Sequence, residues 1–480
     1  MATIVIAIAL FSSSVAVASV QSGQLTAGDV DDNLNFESYL GFKRREQFQQ
    51  FQLNPDLSGR VLVDVTDPQG QPFPCAIIEL VSEQMEIPAG TNGLVPLFPK
   101  LDNFASSSLR LRARAPNGTC PQDCSDIVQG ASNAITLQIP LVPALPSQLD
   151  IVLVVDTTGS MCDELAYLQA EMVDIVSNVK AKQSRSIDAR VGLVLYRDRG
   201  DAYVKQVTDL GVASQFGPAL TALREASCGG GGDYPEAMEE ALEATAKLQW
   251  RPGLVARVAF LVADAPPHDQ HLHRTFEAAI AMRKQGVKVY GLAASGVGDT
   301  AEFLMRLLAV VTGARHLWLT DDSGIGLAHQ EPKVLCYRVT RLDQLLTRIL
   351  DAELKGERVE ALPTEIIREV GKQKKGVCLI DFQPTTTTTT AAPTADPTAT
   401  PTAEPTAAPT AMPTAAAKAS LGGDAEASSG RDVAATPGLV ASVLGEPVSS
   451  VGGESSLARA FHASHFILSL VLLLIAFGPR

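Results

Sequence analysis

Five short, almost uninterrupted apolar runs recur between residues 148 and 320: QLDIVLVVD from Gln148, ARVGLVLYRD from Ala189, ARVAFLVAD from Ala256, VKVYGLAAS from Val287 and ARHLWLT from Ala314. Runs this short and this apolar have no polar face to show to water, so they are strands covered on both sides. Between them lie amphipathic helical stretches: Asp163–Val179, Pro235–Leu248, His273–Lys284 and Ala301–Val311. Strand and helix in alternation predict an α/β domain over 149–355, a Rossmann-like parallel sheet flanked by helices.

The preceding region has a different period. GRVLVDV, CAIIELV, LRLRARA and AITLQIPLV alternate or are β-branched, and Asp67-Pro-Gln-Gly-Gln-Pro72 is dense in turn residues. This predicts a separate all-β sandwich over 57–145. The stretch GRVLVDVTDPQGQPFPCAIIELV…TNGLVPL resembles carboxypeptidase-regulatory, or transthyretin-like, sandwich domains, which implies an accessory or binding module. Residues 356–383 are read as a C-terminal extension. Its GVCLIDF run can pack back on the body, and a Cys336–Cys378 bridge would hold it there.

The ends point outside the cytosol. Ala2 to Leu10 is apolar and Ala16-Val17-Ala18 fits small-x-small processing, so residues 1–18 read as a secretory signal, with a short membrane anchor as the alternative. Six prolines at every fourth position from Pro393 and six consecutive threonines from Thr385 forbid a core. Residues 384–455 are therefore expected to be a disordered, Thr/Pro/Ala-rich stalk. In 456–480, the apolar run Phe466–Phe477 follows small residues (Gly452, Gly453, Ser455, Ser456) and a more polar spacer. That order fits a GPI-attachment signal; a membrane helix recruiting upstream residues is the alternative.

A secreted chain with seven cysteines implies disulfides, so Cys75, Cys120, Cys124, Cys162, Cys228, Cys336 and Cys378 are all candidates. Zinc at Cys120 and Cys124 would need two further ligands. Asn117-Gly118-Thr119 is a glycosylation sequon beside them. The net charge of −14 argues against nucleic acid as a partner and is compatible with cation binding.

Ligands of open α/β sheets sit at the carboxyl ends of the strands. There the sequence places Asp156-Thr157-Thr158-Gly159-Ser160, then Cys228-Gly-Gly-Gly-Gly-Asp233-Tyr234-Pro-Glu236, then Asp264-Ala-Pro-Pro-His268. Asp156, Thr158 and Ser160 alternate, so their oxygens can face one side. Acids and hydroxyls together make a hard-cation site of the Mg²⁺ type, with Ca²⁺ or Mn²⁺ as alternatives. Each loop alone could be an ordinary helix cap; three at neighbouring strand ends are more specific. A nucleotide site lacks the Gly-Lys-Ser/Thr that would follow Gly229 to Gly232.

These motifs resemble the von Willebrand factor A domain and its metal-ion-dependent adhesion site. The family pattern is Asp-x-Ser-x-Ser, a second-loop Thr or Asp, and a third-loop Asp. Asp156 and Ser160 match directly, Thr158 replaces a serine, Asp233 resembles the acidic second-loop ligand, and Asp264 matches the third. The resemblance implies a metal set of Asp156, Thr158, Ser160, Asp233 and Asp264, with His268, Tyr234 and Arg197 around the partner.

Two further groupings could carry chemistry. Ser160, His268 and Asp264 could be drawn as a triad, but Ser160 lacks the Gly-x-Ser-x-Gly elbow. His268, His271 and His273 could bind a transition metal, or simply line a solvated loop. A Cys162–Cys228 bridge would pin two of the metal loops. The expected function is adhesion-like, cation-dependent binding of an extracellular protein or glycan with an acidic group, by a protein held at the membrane through its C-terminal anchor. The alternatives are a metal-dependent hydrolase or processing factor of the cell envelope, and a structural coat component.

Overall fold

The computed structural model describes residues 21–105, 109–119, 127–129, 133–182, 185–214 and 217–379. The proposed signal, stalk and anchor, and Cys120 and Cys124, lie outside these residues. Chain contacts divide at Thr387, and everything described lies in the unit Met1–Thr387.

The first strand was not legible in the sequence. Its run TAGDV forms β1 (Thr26–Val30), followed by the short helices α1 (Phe36–Lys43) and α2 (Glu46–Gln49). Seven strands then build a sandwich: β2 (Val61–Thr66), β3 (Ile77–Leu80), β4 (Met85–Pro88), β5 (Leu94–Leu97), β6 (Leu109–Arg114), β7 (Ile127–Gln129) and β8 (Ala134–Gln138). One sheet has the order β5-β2-β8 and the other β4-β3-β6-β7. Period-two alternation turns Val63, Val65, Ile78, Leu80, Leu111 and Leu137 into a shared core.

The remaining chain alternates strands and helices: β9 (Gln148–Asp156), α3 (Leu165–Lys182), β10 (Asp188–Tyr196), β11 (Lys205–Val212), α4 (Pro218–Glu225), α5 (Met238–Ala246), β12 (Val255–Ala263), α6 (Leu272–Lys284), β13 (Lys288–Ala293), α7 (Asp299–Thr312), β14 (His316–Leu319), β15 (Tyr337–Arg341), α8 (Leu342–Lys355) and β16 (Arg368–Val370). The nine-stranded sheet has the order β11-β10-β9-β12-β13-β14-β1-β15-β16. β10, β9, β12, β13 and β14 run parallel, while β11, β1 and β16 are antiparallel to their neighbours.

Both faces are buried, as the continuous apolar runs require. Val152 and Val154 of β9 pack with α5, α6 and α7, whereas Ile151, Leu153 and Val155 pack with α3, α4 and α8. β1 slots antiparallel between β14 and β15, where the missing side chain of Gly28 leaves room for Trp318; a Cβ there would lie 2.6 Å from the indole. The α1–α2 segment covers α7 through Phe42, Phe48 and Phe51 against Phe303. Arg306 of α7 reaches back to Asp32 with two bonds of 2.8 Å.

The sandwich keeps its own core yet is bolted to the α/β body. Arg283 of α6 is bidentate to Asp102, at 2.6 and 2.9 Å, with both side chains buried. Glu353 near the end of α8 accepts from Lys288, Tyr290 and Thr91. Cys75, on the sandwich side, is a buried free thiol. Cys336 and Cys378 are bridged, which ties the C-terminal extension to the strand β15 that Cys336 precedes.

Candidate metal centre

β9 ends on Asp156 and the residue after β12 is Asp264, so parallel pairing of the two strands delivers both acids to one edge. The Asp156 side chain is fully buried. Its Oδ1 accepts from the Thr158 amide at 2.9 Å and from the Thr158 hydroxyl at 2.7 Å. The Thr158 hydroxyl also lies 3.3 Å from that of Ser160. The Thr158 hydroxyl thus stands between Asp156 and Ser160. Ser160 also acts on Asp264, whose pKa it pulls down against the larger effect of burial.

The second loop is built on glycine. Gly229, Gly230 and Gly231 have φ of 151°, 82° and 75°, the region that favours residues without a side chain. A Cβ on Gly230 would collide with the Asp201 carboxylate, which accepts from the Gly231 amide at 2.8 Å. The loop lies against the first: Gly229 N donates to Thr157 O at 3.0 Å and Gly159 N to Gly230 O at 3.1 Å. The disulfide Cys162–Cys228 fastens the two loops covalently.

Glu236, which follows this loop, is the residue that sequence reasoning missed. Its amide donates to Pro266 O at 2.9 Å, so the chain is drawn against the third loop. The carboxyl is buried, and burial, then Asp156 and Asp198, push its pKa up to about 9. Burial, then repulsion from Asp264, pushes Asp156 up to about 7. Asp264 is raised too, by burial first. The sign at hand was Glu236 itself, the last residue of CGGGGDYPE; the acid three residues earlier drew attention instead.

Three buried carboxylate oxygens, Asp156 Oδ2, Asp264 Oδ1 and Glu236 Oε2, have no hydrogen-bond partner. Leaving such oxygens bare costs free energy, and mutual repulsion adds to it. With the Thr158 and Ser160 hydroxyls they are oxygen groups of the kind a hard divalent cation takes.

The other expected residues are placed differently. The Asp233 side chain is 64% exposed and its Oδ2 lies 4.0 Å from His268 Nδ1. His268 Nε2 is 3.1 Å from Asp198 Oδ1, and Asp198, Asp233 and His268 are the one acid and histidine group among the described residues whose ligand atoms all lie within 4.8 Å of one another. Tyr234 is half-exposed; its hydroxyl donates to Asp264 O at 2.9 Å and accepts from Gly298 N at 2.6 Å. Arg197 is buried rather than displayed on a rim. Its guanidinium stacks over Tyr203 and donates to Ser227 O at 2.6 Å, propping the glycine loop from behind.

The drawn triad is not assembled, since His268 engages Asp198 while the Ser160 hydroxyl lies against that of Thr158. Nor do the three histidines converge: His271 faces Glu239 and His273 is exposed. Asn117 is exposed, and its side-chain oxygen accepts from Thr119 N in a tight turn.

Residues 150–326 match the family model of the von Willebrand factor type A domain. This part of the chain is a von Willebrand factor type A domain. β1, β15 and β16 extend its sheet from outside the matched residues. A curated relative, the alpha-protein kinase vwkA of Dictyostelium discoideum, is 26% identical over 141 residues, or 29% of this chain. The match covers 22% of that relative, so this chain spans only about a fifth of its length. Among solved structures, the pilus adhesin SpaC of Lactobacillus rhamnosus GG aligns at 14% identity and a TM-score of 0.33, over 52% of this chain and 32% of its own. Manganese-loaded TRAP of Plasmodium vivax aligns at 18% and 0.25, over 35% and 64%.

Proposed function

We propose that the A domain binds a divalent cation, Mg²⁺ or else Ca²⁺ or Mn²⁺, and through it an acidic group of an extracellular partner, in an adhesion-like role. The observation that carries this is the trio of buried, unpartnered oxygens on Asp156, Asp264 and Glu236. Thr158 and Ser160 supply hydroxyls, and Asp233 with His268 stands at the outer rim. A divalent cation there would be held by Asp156, Asp264 and Glu236, whose charge it would offset, and would supply the attraction for a carboxylate from outside. Thr158 holds Asp156 Oδ1 through two hydrogen bonds, and Oδ2 is left without a partner.

The cell-surface location and the GPI or membrane anchor are part of the proposal, and rest on the terminal sequences. Calorimetric titration of Mg²⁺ into the EDTA-stripped protein tests the site. Wild type should bind one ion and Asp156→Ala should not; equal binding by both would sink the reading.

A further inference from the structure

We infer that Asn117 carries an N-linked oligosaccharide, at the edge of the large sheet opposite the metal loops. The inference rests on the secretory reading of the terminal sequences and not on the cation. Asn117-Gly118-Thr119 is the only Asn-x-Ser/Thr sequence in the 480 residues.

Local geometry suits the modification. The turn after β6 is closed by two backbone bonds, Ala115 N to Thr119 O at 3.0 Å and Gly118 N to Ala115 O at 2.8 Å. Asn117 stands exposed in the middle of that turn, and its Oδ1 accepts from Thr119 N at 3.0 Å. The turn thus uses the amide oxygen and not Nδ2, the atom that takes the sugar. Gly118 is held at a φ of 80°, and a Cβ built on it would meet nothing within 4 Å, so the space beside Asn117 is open. In the transfer, Nδ2 bonds to C1 of the first sugar of an oligosaccharide carried on a lipid diphosphate. The C1–O bond breaks, the diphosphate leaves with the electron pair, and one Nδ2 proton is lost to solvent.

Position decides what the sugar leaves free. Pro116 lines a cleft with Trp250, Pro252 and Gly253, which belong to the turn before β12. β12 then runs nine residues to Ala263, and Asp264 follows at its carboxyl end. At ~3.3 Å per residue, about 30 Å of strand separates this turn from the metal loops. The chain leaves for the proposed stalk from the same amino edge. Cys378 is bridged to Cys336, just before β15, and β15 runs in the direction of β14 because both are antiparallel to β1. An oligosaccharide at Asn117 therefore makes the amino edge bulky and polar, hinders protein docking there, and leaves the opposite edge bare.

The test is the full-length protein produced in a eukaryotic secretory host, treated with an N-glycosidase in heavy-oxygen water and digested for mass spectrometry. Asn117 should become heavy-labelled Asp in most secreted molecules, which separates sugar release from spontaneous deamidation. Thr119→Ser should keep the oligosaccharide. Thr119→Ala should lose it although the backbone bond to Asn117 Oδ1 remains, and so should Asn117→Gln. Calorimetry should give the same Mg²⁺ affinity before and after deglycosylation; a changed affinity would overturn the placement at the far edge. Secreted protein with Asn117 unlabelled overturns the inference and leaves the secretory reading standing. Protein retained in the cytosol with Asn117 unlabelled overturns both.

Discussion

The two disulfides allow stability and site geometry to be separated. Replacing Cys162 and Cys228 by Ser opens a loop of sequence separation 66, and replacing Cys336 and Cys378 opens one of 42. In the chain-entropy account each bridge stabilises by about 4 kcal/mol, because the dependence on loop length is logarithmic. The two double variants should therefore unfold at similarly lowered urea midpoints. Their cation affinities should differ. Only the first pair joins the Asp156 loop to the glycine loop. Without it that contact rests on two backbone bonds, Gly229 N to Thr157 O and Gly159 N to Gly230 O. Refixing even one glycine of the loop costs ~1–2 kcal/mol, so Mg²⁺ affinity should fall roughly ten-fold. Cys336→Ser/Cys378→Ser should bind Mg²⁺ like wild type. Calorimetry and urea unfolding on both variants decide it. Equal cation affinity in the two, at equal stability, would refute the claim that the bridge shapes the site.

Further outcomes follow from other contacts. Asp156 and Glu236 titrate near 7 and 9 in the cation-free fold, well above ordinary carboxyls, so their contribution is fullest at acid pH and is lost as pH rises through those values. Melting temperature in EDTA should therefore fall between pH 5 and pH 9, Mg²⁺ should reduce the fall, and Mg²⁺ affinity should increase over the same range; an EDTA melting temperature that rises to pH 9 would contradict this. Arg283→Ala strands the buried carboxylate of Asp102 and should cost about 3–5 kcal/mol in urea unfolding; a change below about 1 kcal/mol would mean the sandwich is not bolted to the sheet there. Gly28→Ala pushes a methyl into Trp318 and should destabilise by about 1–3 kcal/mol, with the indole fluorescence shifted; an unchanged spectrum and midpoint would refute the packing of β1.

What the sequence disclosed depended on how strongly each segment's pattern was dictated by burial. The central strands were legible because β9 and β12 are buried on both faces and admit no polar alternation. β1 was not, because TAGDV joins the sheet through register and through Gly28's fit to Trp318, neither of which leaves a periodic trace. The loops carrying Asp156 and Asp264 were legible because each acid closes a continuous apolar run, which puts it at the strand end where such sheets bind ligands. The second loop was harder. Asp233 and Glu236 are three residues apart, and only the pairing of Glu236 N with Pro266 O turns the later one inward. Arg197 looked like a rim residue because it follows a strand end. Its burial comes from Tyr203 and Ser227, on loops that no local pattern connects.

The central claim is that a cation sits among Asp156, Thr158, Ser160, Asp264 and Glu236. The most direct measurement is a crystal structure of the protein grown in Mn²⁺, read by its anomalous signal. The account predicts one strong peak within bonding distance of Asp156 Oδ2, Asp264 Oδ1 and the Ser160 hydroxyl. A peak only at Asp198, Asp233 and His268, or no peak at this edge of the sheet, would contradict it.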